Sequence, residues 1–449
     1  MTSRPSSTLI YDWLTTMDIK NREANIIHDG DTVICEASDG RMFFQLVAAK
    51  ECIRISKTLT SLTPVIGAAY GSTFEYQNQK LVKVSGGLFP DPVTPEFGEA
   101  IVPLCDNRHY TDTNSAQKLS SESIAELRSQ GATGKEIIEA LVENSATWKD
   151  RTEFSKQKYL RKKQTKYMPR VHILKCTAES LCKTYRLKNP DKIRYLREDT
   201  LGQILVYANI YATSQALVLD TCMGLVLGAI AERQDGNGRI LAPYIGQNPC
   251  VDILRRFNFD RKSLASIHSF SFEEFALLDQ REEDIAEAEA SEPKLTEEEK
   301  NKMEQERTKQ YTEEERKKHE LKKLRRNHNR IIRQPRAVIR NWIREKSDVL
   351  ILASEYDLES TFITLMPYLG DSRPFVIYSE YLEPVTKAFS SFQKMDTLID
   401  LQLTETWTRR YQILPGRSHP EMNMSGCSGY LLTGTKIAFN SHKGKSRDS

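Results

Sequence analysis

Three hydrophobic periods follow one another along this chain. Between residues 24 and 85 short apolar runs alternate with turn signals. "NIIHDGDTVICEASDGRMFFQLV" holds "DGD" and "SDG" between β-rich segments, and "AAYGSTFEYQNQKLVKVSGG" continues the pattern. Several short strands with Asp-Gly turns predict a small all-β barrel or sandwich. The Pro/Gly-rich "GGLFPDPVTPEFGEAIVPL" after it reads as a connection.

From residue 119 the period becomes helical. In "LSSESIAELRSQGATGKEIIEALVEN", Ser121 or Ser123 can cap a helix with Ile124 and Leu127 on one face. Gly131 ends it, and Ile137, Ile138, Leu141 and Val142 define a second amphipathic helix. A third helical stretch runs up to Pro169, and "RVHILKC" reads as a strand. Beyond residue 190 apolar strands at 216–220, 239–242, 348–353, 374–378 and 397–403 alternate with helical patterns, which predicts a parallel α/β sheet. "TRRYQILPG" and "SGYLLTGTKIAF", joined by "RSHPEMNMSGC", read as an antiparallel pair at the sheet edge. The predicted organisation is a β domain over 1–115, a helical basic connector over 116–172, an α/β domain over 173–440 and a tail over 441–449.

Composition adds limits. A chain of 449 residues has room for two or three domains. It has no run of eighteen apolar residues, so no membrane span is expected. "MTSRPSSTLIYDW" lacks the apolar centre of a signal peptide, which leads to the expectation of an intracellular protein. Eight cysteines without a CxxC pair support neither a zinc site nor a disulfide framework. Net charge is only +3, but its distribution is uneven. Residues 156–170 are basic and 281–306 acidic. Residues 280–330 read as an exposed or disordered polar insertion, in which Glu313–Lys317 and Glu314–Lys318 would support a solvated helix. Its end, "KKHELKKLRRNHNR", reads as a nuclear-import signal or an RNA-contacting patch. A nuclear location is the expectation, with the cytoplasm left open.

Candidate chemistry centres on "ALVLDTCMGLVLGAI", residues 216–230, an apolar strand, a turn and a small-residue helix. A methyltransferase of the common α/β kind binds S-adenosylmethionine there through acid-x-Gly-x-Gly-x-Gly, whose glycines let the backbone approach the cofactor. This chain offers Asp220, Cys222, Gly224 and Val226, so one glycine of three remains. The acid that would hold the ribose at the end of the next strand is also missing, because "GNGRILAPYIGQNP" has no Asp or Glu. The alternative is a rearranged loop with Glu232 as substitute. A degenerate loop that holds no cofactor is the reading preferred, with Asp220 as a turn or cap residue.

A second candidate is "TEFSKQKYLRKKQTKY". It mixes Lys156, Lys158, Arg161, Lys162, Lys163 and Lys166 with Phe154, Tyr159 and Tyr167, and no acid falls between Lys156 and Arg170. Such cations neutralise phosphates, and aromatic faces can pack on exposed bases. The alternative is a solvated helix face.

Four stretches, "DNRHYTDTNSAQKLS", "LVENSATWKDRTEFSKQKYLRKKQTKY", "VLDTCMGLVLGAIAER" and "RRYQILPGRSHPEMNMSGCSGYLLTGTK", occur in the order seen in one family. Over residues 20–440, apart from the charged insertion, the chain resembles the non-catalytic subunit of the eukaryotic tRNA adenine-N1 methyltransferase, which modifies a T-loop adenine. The resemblance implies an N-terminal β-barrel joined to a Rossmann-like class I methyltransferase α/β domain. It implies a separate catalytic subunit that binds S-adenosylmethionine, and two such pairs in a heterotetramer. It also puts Ala353 of "DVLILASE" where the catalytic subunit carries an acid. The family's tRNA contacts carry over best onto 156–166. Arg170, Arg409, Arg410, Arg417 and His419 complete the candidate tRNA-binding set, the last two in the loop "LPGRSHPEM", whose alternative role is a plain turn. Trp148 stands where phenylalanine is more usual.

Overall fold

The computed structural model describes residues 25–48, 51–55, 58–77, 80–89, 119–148, 151, 153–280, 312, 315, 331, 334–413 and 418–438. Arg417, most of the 280–330 insertion, the tail and most of "DNRHYTDTNSAQKLS" therefore lie outside the described residues. The chain divides into two units, Met1–Cys176 and Thr177–Ser449.

The first unit holds β1 (Thr32–Ala37), β2 (Met42–Leu46), β3 (Cys52–Ile55), β4 (Thr58–Ser61), β5 (Thr73–Gln77), β6 (Lys80–Val84) and β7 (Arg170–Lys175). Five of them form an antiparallel sheet in the order β2-β1-β7-β5-β6, and β3 and β4 pair as a separate ribbon. Among the described residues no ladder joins β2 to β6, so the hydrogen bonding is that of an open sheet with a ribbon. Alternate residues Val33, Cys35, Phe74, Val171 and Ile173 share one core with Ile53 and Ile55 of the ribbon, as the period of two requires. β7 spans the expected 172/173 boundary. It pairs with β1 and β5 at the centre of the sheet, and the division falls after Cys176 instead. Strand pairing with residues far earlier in the chain decides this, and no local pattern records it.

Three helices precede β7: α1 (Ser121–Ser129), α2 (Gly134–Glu143) and α3 (Glu153–Tyr167). The capping hydroxyl of α1 is Ser120, one residue before the two expected, and it accepts the Ser123 N–H at 3.1 Å. Thr133 and Glu136 form a reciprocal capping box at α2. Ile137, Ile138 and Leu141 of α2 pack with Leu160 and Tyr167 of α3.

The second unit is built on β8 (Gln215–Asp220), β9 (Arg239–Tyr244), β10 (Ile267–Ser271), β11 (Val349–Ala353), β12 (Arg373–Ser379), β13 (Leu398–Trp407), β14 (Tyr411–Gln412), β15 (His419–Pro420) and β16 (Cys427–Lys436). Its sheet runs β10-β9-β8-β11-β12-β16-β13. The first five strands are parallel, and β16 is antiparallel to both its neighbours. The helices are α4 (Ala178–Lys188), α5 (Glu198–Tyr207), α6 (Leu225–Gln234), α7 (Arg261–Ala265), α8 (Arg336–Arg344), α9 (Leu358–Leu365) and α10 (Leu382–Phe392). This is a Rossmann-like doubly wound sheet. Its strand order reverses between β8 and β11, where such folds open their ligand crevice. No described helix is long and apolar enough to cross a membrane.

Two expectations change here. The antiparallel edge pair is β13 with β16, whereas "TRRYQILPG" supplies only the two-residue β14, paired with His419–Pro420. The edge strand β10 has no counterpart among the expected strands, because "IHSFS" carries too few apolar residues to stand out.

Candidate cofactor loop and nucleic-acid interface

At the switch point β8 ends in Asp220, level with Ala353 of β11 in the strand register. The loop from Asp220 to α6 turns inward on itself. The Asp220 carboxylate accepts the N–H groups of Cys222 (2.6 Å), Val226 (2.9 Å) and Leu227 (3.1 Å). It is therefore the cap of α6, bonding donors that the helix cannot satisfy itself. Burial pushes its pKa up to about 6, against the opposing pull of these backbone donors. Left-handed backbone falls at Met223 (φ 59°) and Gly224 (φ 82°). The strain at Met223 costs roughly 1–2 kcal/mol.

The space beside this loop is filled with the chain's own atoms. Cys222 and Val226 are wholly buried, and the Cys222 thiol faces the Ala353 carbonyl at 3.7 Å. A Cβ at Gly224 would lie 3.0 Å from the Val251 backbone and 3.3 Å from the Leu254 side chain. The Ile253 N–H donates to the Met223 carbonyl at 3.1 Å. One turn of α6 further on, the Phe257 ring lies against Gly228 with no room for a methyl group. Val251, Leu254 and Phe257 thus pack along the loop at successive three-residue spacings. Replacing Gly228 with alanine should cost about 1–3 kcal/mol of stability by overpacking. Urea denaturation checks this, and an unchanged midpoint would mean that Phe257 does not press on α6.

The other cofactor requirement also lacks its residue. β9 ends at Tyr244, and Ile245, Gly246, Gln247 and Asn248 follow without a carboxylate. Glu232, the possible substitute, accepts the Ala178 N–H at 2.8 Å. These residues do not fit an S-adenosylmethionine molecule held in the usual way.

The basic candidates separate into groups. On α3 the side chains of Leu160, Gln164 and Tyr167 face the helical core. Lys158, Arg161, Lys162 and Lys166 are exposed on the opposite side, and Lys156 and Lys163 are half-buried on one flank. The aromatic rings carry cations. Arg151 and Lys163 lie 5.1 and 5.0 Å from the Tyr159 ring centre, Lys166 lies 5.1 Å from that of Tyr167, and Arg161 4.6 Å from that of Phe89. Trp148 meets Tyr159 edge-on at 5.7 Å. Burial lowers the Lys163 pKa, and the neighbouring charges of Lys166, Lys162 and Arg151 lower it further. Tyr159 and Tyr167 thus hold lysines and arginines, not the open faces that base packing needs. The Phe154 side chain lies outside the described residues.

Arg170 departs from the expected set. It is buried on β7, its Nε donates to Glu75 at 2.8 Å and its Nη1 to the Gly87 carbonyl at 3.0 Å. Arg409 and Arg410 sit between β13 and β14, where Arg409 approaches the Met422 sulfur at 3.9 Å and the Arg410 backbone N–H that of Met424 at 3.2 Å. His419 is exposed on β15, with Nδ1 3.0 Å from the Pro420 carbonyl oxygen. These three belong to the second unit and α3 to the first. Two parts of the sites escaped the sequence reading. Arg151 stands apart from the basic run because Asp150 and Glu153 flank it. The apolar spacing of "VDILRRF" was a legible signal for the packing against α6.

Residues 26–318 match the model of the Gcd10p family. A Dictyostelium discoideum protein named as the trm6 non-catalytic subunit of tRNA (adenine(58)-N(1))-methyltransferase is 36% identical, over 92% of this chain and 80% of its own length. The mouse protein of the same name is 32% identical, over 92% and 89%. Among solved structures, the tRNA (m1A58) methyltransferase TrmI of Aquifex aeolicus resembles the chain loosely, with a TM-score of 0.45 and 11% identity over 92% and 100% of the two chains. A Thermotoga maritima O-methyltransferase gives 0.46 and 10% over 94% and 98%. The family match spans well over half of the chain and two relatives exceed 30% identity across most of it, so this chain belongs to the Gcd10p family.

Proposed function

We propose that this chain is the non-catalytic, tRNA-binding subunit of a tRNA (adenine-N1)-methyltransferase, and that it acts with a separate catalytic chain on the T-loop adenine. The catalytic chain binds the methyl donor. This one holds tRNA through the exposed face of α3, and its Rossmann-like unit serves as scaffold. The N-terminal open sheet and its ribbon, which share one core, serve as the small barrel-like domain of this subunit. Two such pairs assemble into a heterotetramer that works in the nucleus.

One observation carries the reading. The loop that would hold S-adenosylmethionine is bonded to its own Asp220 and packed by Val251, Leu254 and Phe257. The names of the relatives, non-catalytic subunits of this enzyme, support the same role. Titration of the purified chain with S-adenosylmethionine in a calorimeter should give no saturable heat. tRNA transcript should be methylated only when the catalytic chain is added. Micromolar binding of the donor, or methylation by this chain alone, would overturn the proposal.

A further inference from the structure

We propose that the exposed face of α3 reads the phosphate backbone of base-paired RNA, a stem and not an unpaired loop. The inference rests on the tRNA-binding role above and specifies which part of the RNA meets this helix.

Four observations bear on it. The first is spacing. Lys158, Lys162 and Lys166 recur every fourth residue with Arg161 beside them, so their side chains leave α3 on one side. From Lys158 to Lys166 the helix rises about 12 Å, enough for several successive phosphates of one strand. The second is the opposite face, where Leu160, Gln164 and Tyr167 pack inward, so the row of cations is on the side turned away from the core. The third is charge. No acid lies between Lys156 and Arg170, and among the described residues Lys158 and Lys162 have no carboxylate partner. The fourth concerns the aromatic groups. Proteins that grip unpaired strands stack bases on open aromatic faces. Here Tyr159 carries Arg151 and Lys163, Tyr167 is buried under Lys163 and Lys166, and Phe89 lies beneath Arg161.

A row of cations whose described aromatic neighbours already carry cations suits duplex RNA, which proteins recognise by shape and by backbone contacts. The rings have another job. They hold Arg151 and Lys163 against the flank of the helix, and on the outer face Lys158 and Lys162 lie over no ring among the described residues.

The test compares two RNAs with the same number of phosphates, a duplex and an unpaired strand, binding to the full chain over a range of salt. The duplex should bind at least tenfold more tightly. Lys162→Gln and Lys158→Gln should each reduce its log–log salt slope by about one. Lys163→Gln, which removes a ring-bound ammonium, should change the slope by clearly less. Far-UV melting curves verify that each variant is folded. Equal or tighter binding of the unpaired strand, with Lys158 and Lys162 still contributing, would sink the duplex assignment and leave the tRNA-binding role standing. Unchanged slopes in all variants would remove α3 from the interface and end both readings.

Discussion

Replacing Arg170 with alanine should unfold the N-terminal unit more readily, by about 3–5 kcal/mol, without altering how the folded protein responds to salt when it binds RNA. Arg170 lies on the central strand β7, and its guanidinium spans Glu75 of β5 and the Gly87 carbonyl. The side chains of the pair are only 7% and 5% exposed. Removing the arginine leaves the Glu75 carboxylate buried without its partner, which is the costly way to break an ion pair. The double replacement Arg170→Met with Glu75→Leu should recover most of the loss, because apolar groups of similar volume need no partner there. Urea denaturation of the two single variants and the double variant measures the coupling. If Arg170→Ala keeps its stability and lowers the RNA salt slope by one, the residue is a phosphate contact after all.

A second large effect is expected at Asp220. Asp220→Ala deprives three backbone N–H groups of their acceptor at the start of α6 and should cost about 2–4 kcal/mol. Asp220→Asn keeps an acceptor oxygen and should lose less. The two also differ in their response to pH. Burial raises the folded-state pKa from 3.8 to about 6. The folded protein therefore holds this proton more tightly than the unfolded chain does. The stability that the group contributes is fully present below about pH 4 and is lost as pH rises through about 6. Wild-type stability should carry this downward component between pH 4 and 6, and Asp220→Asn should lack it. Identical pH profiles for wild type and the asparagine variant would show that the carboxylate does not titrate as a buried group.

The two sites were legible to different degrees. The cofactor loop could be read almost completely. Asp220, Cys222, Gly224 and Val226 are consecutive features of one strand–turn–helix, and what a side chain does in a tight loop follows from local sterics. The occupant of the space beside it could not be read. Val251, Leu254 and Phe257 reach α6 through the tertiary path of the chain after β9, although their own three-residue spacing was visible. On α3 the charge was plain, but its partition was not. Lys162 and Lys163 are neighbours in sequence, yet one is exposed and the other lies on a tyrosine ring. Arg170 looked like the last member of that basic run until β7 carried it into the sheet.

Periodicity and composition alone were enough to determine the β-rich start, the amphipathic helices, the alternating α/β half and the lost glycines, because each depends on residues within a turn or a strand of one another. Tertiary structure alone decided that β7 belongs to the first sheet, that β16 inserts between β12 and β13, and which cations face solvent. Those outcomes depend on contacts between residues far apart in the chain, where burial and the pairing of buried charge outweigh any local preference.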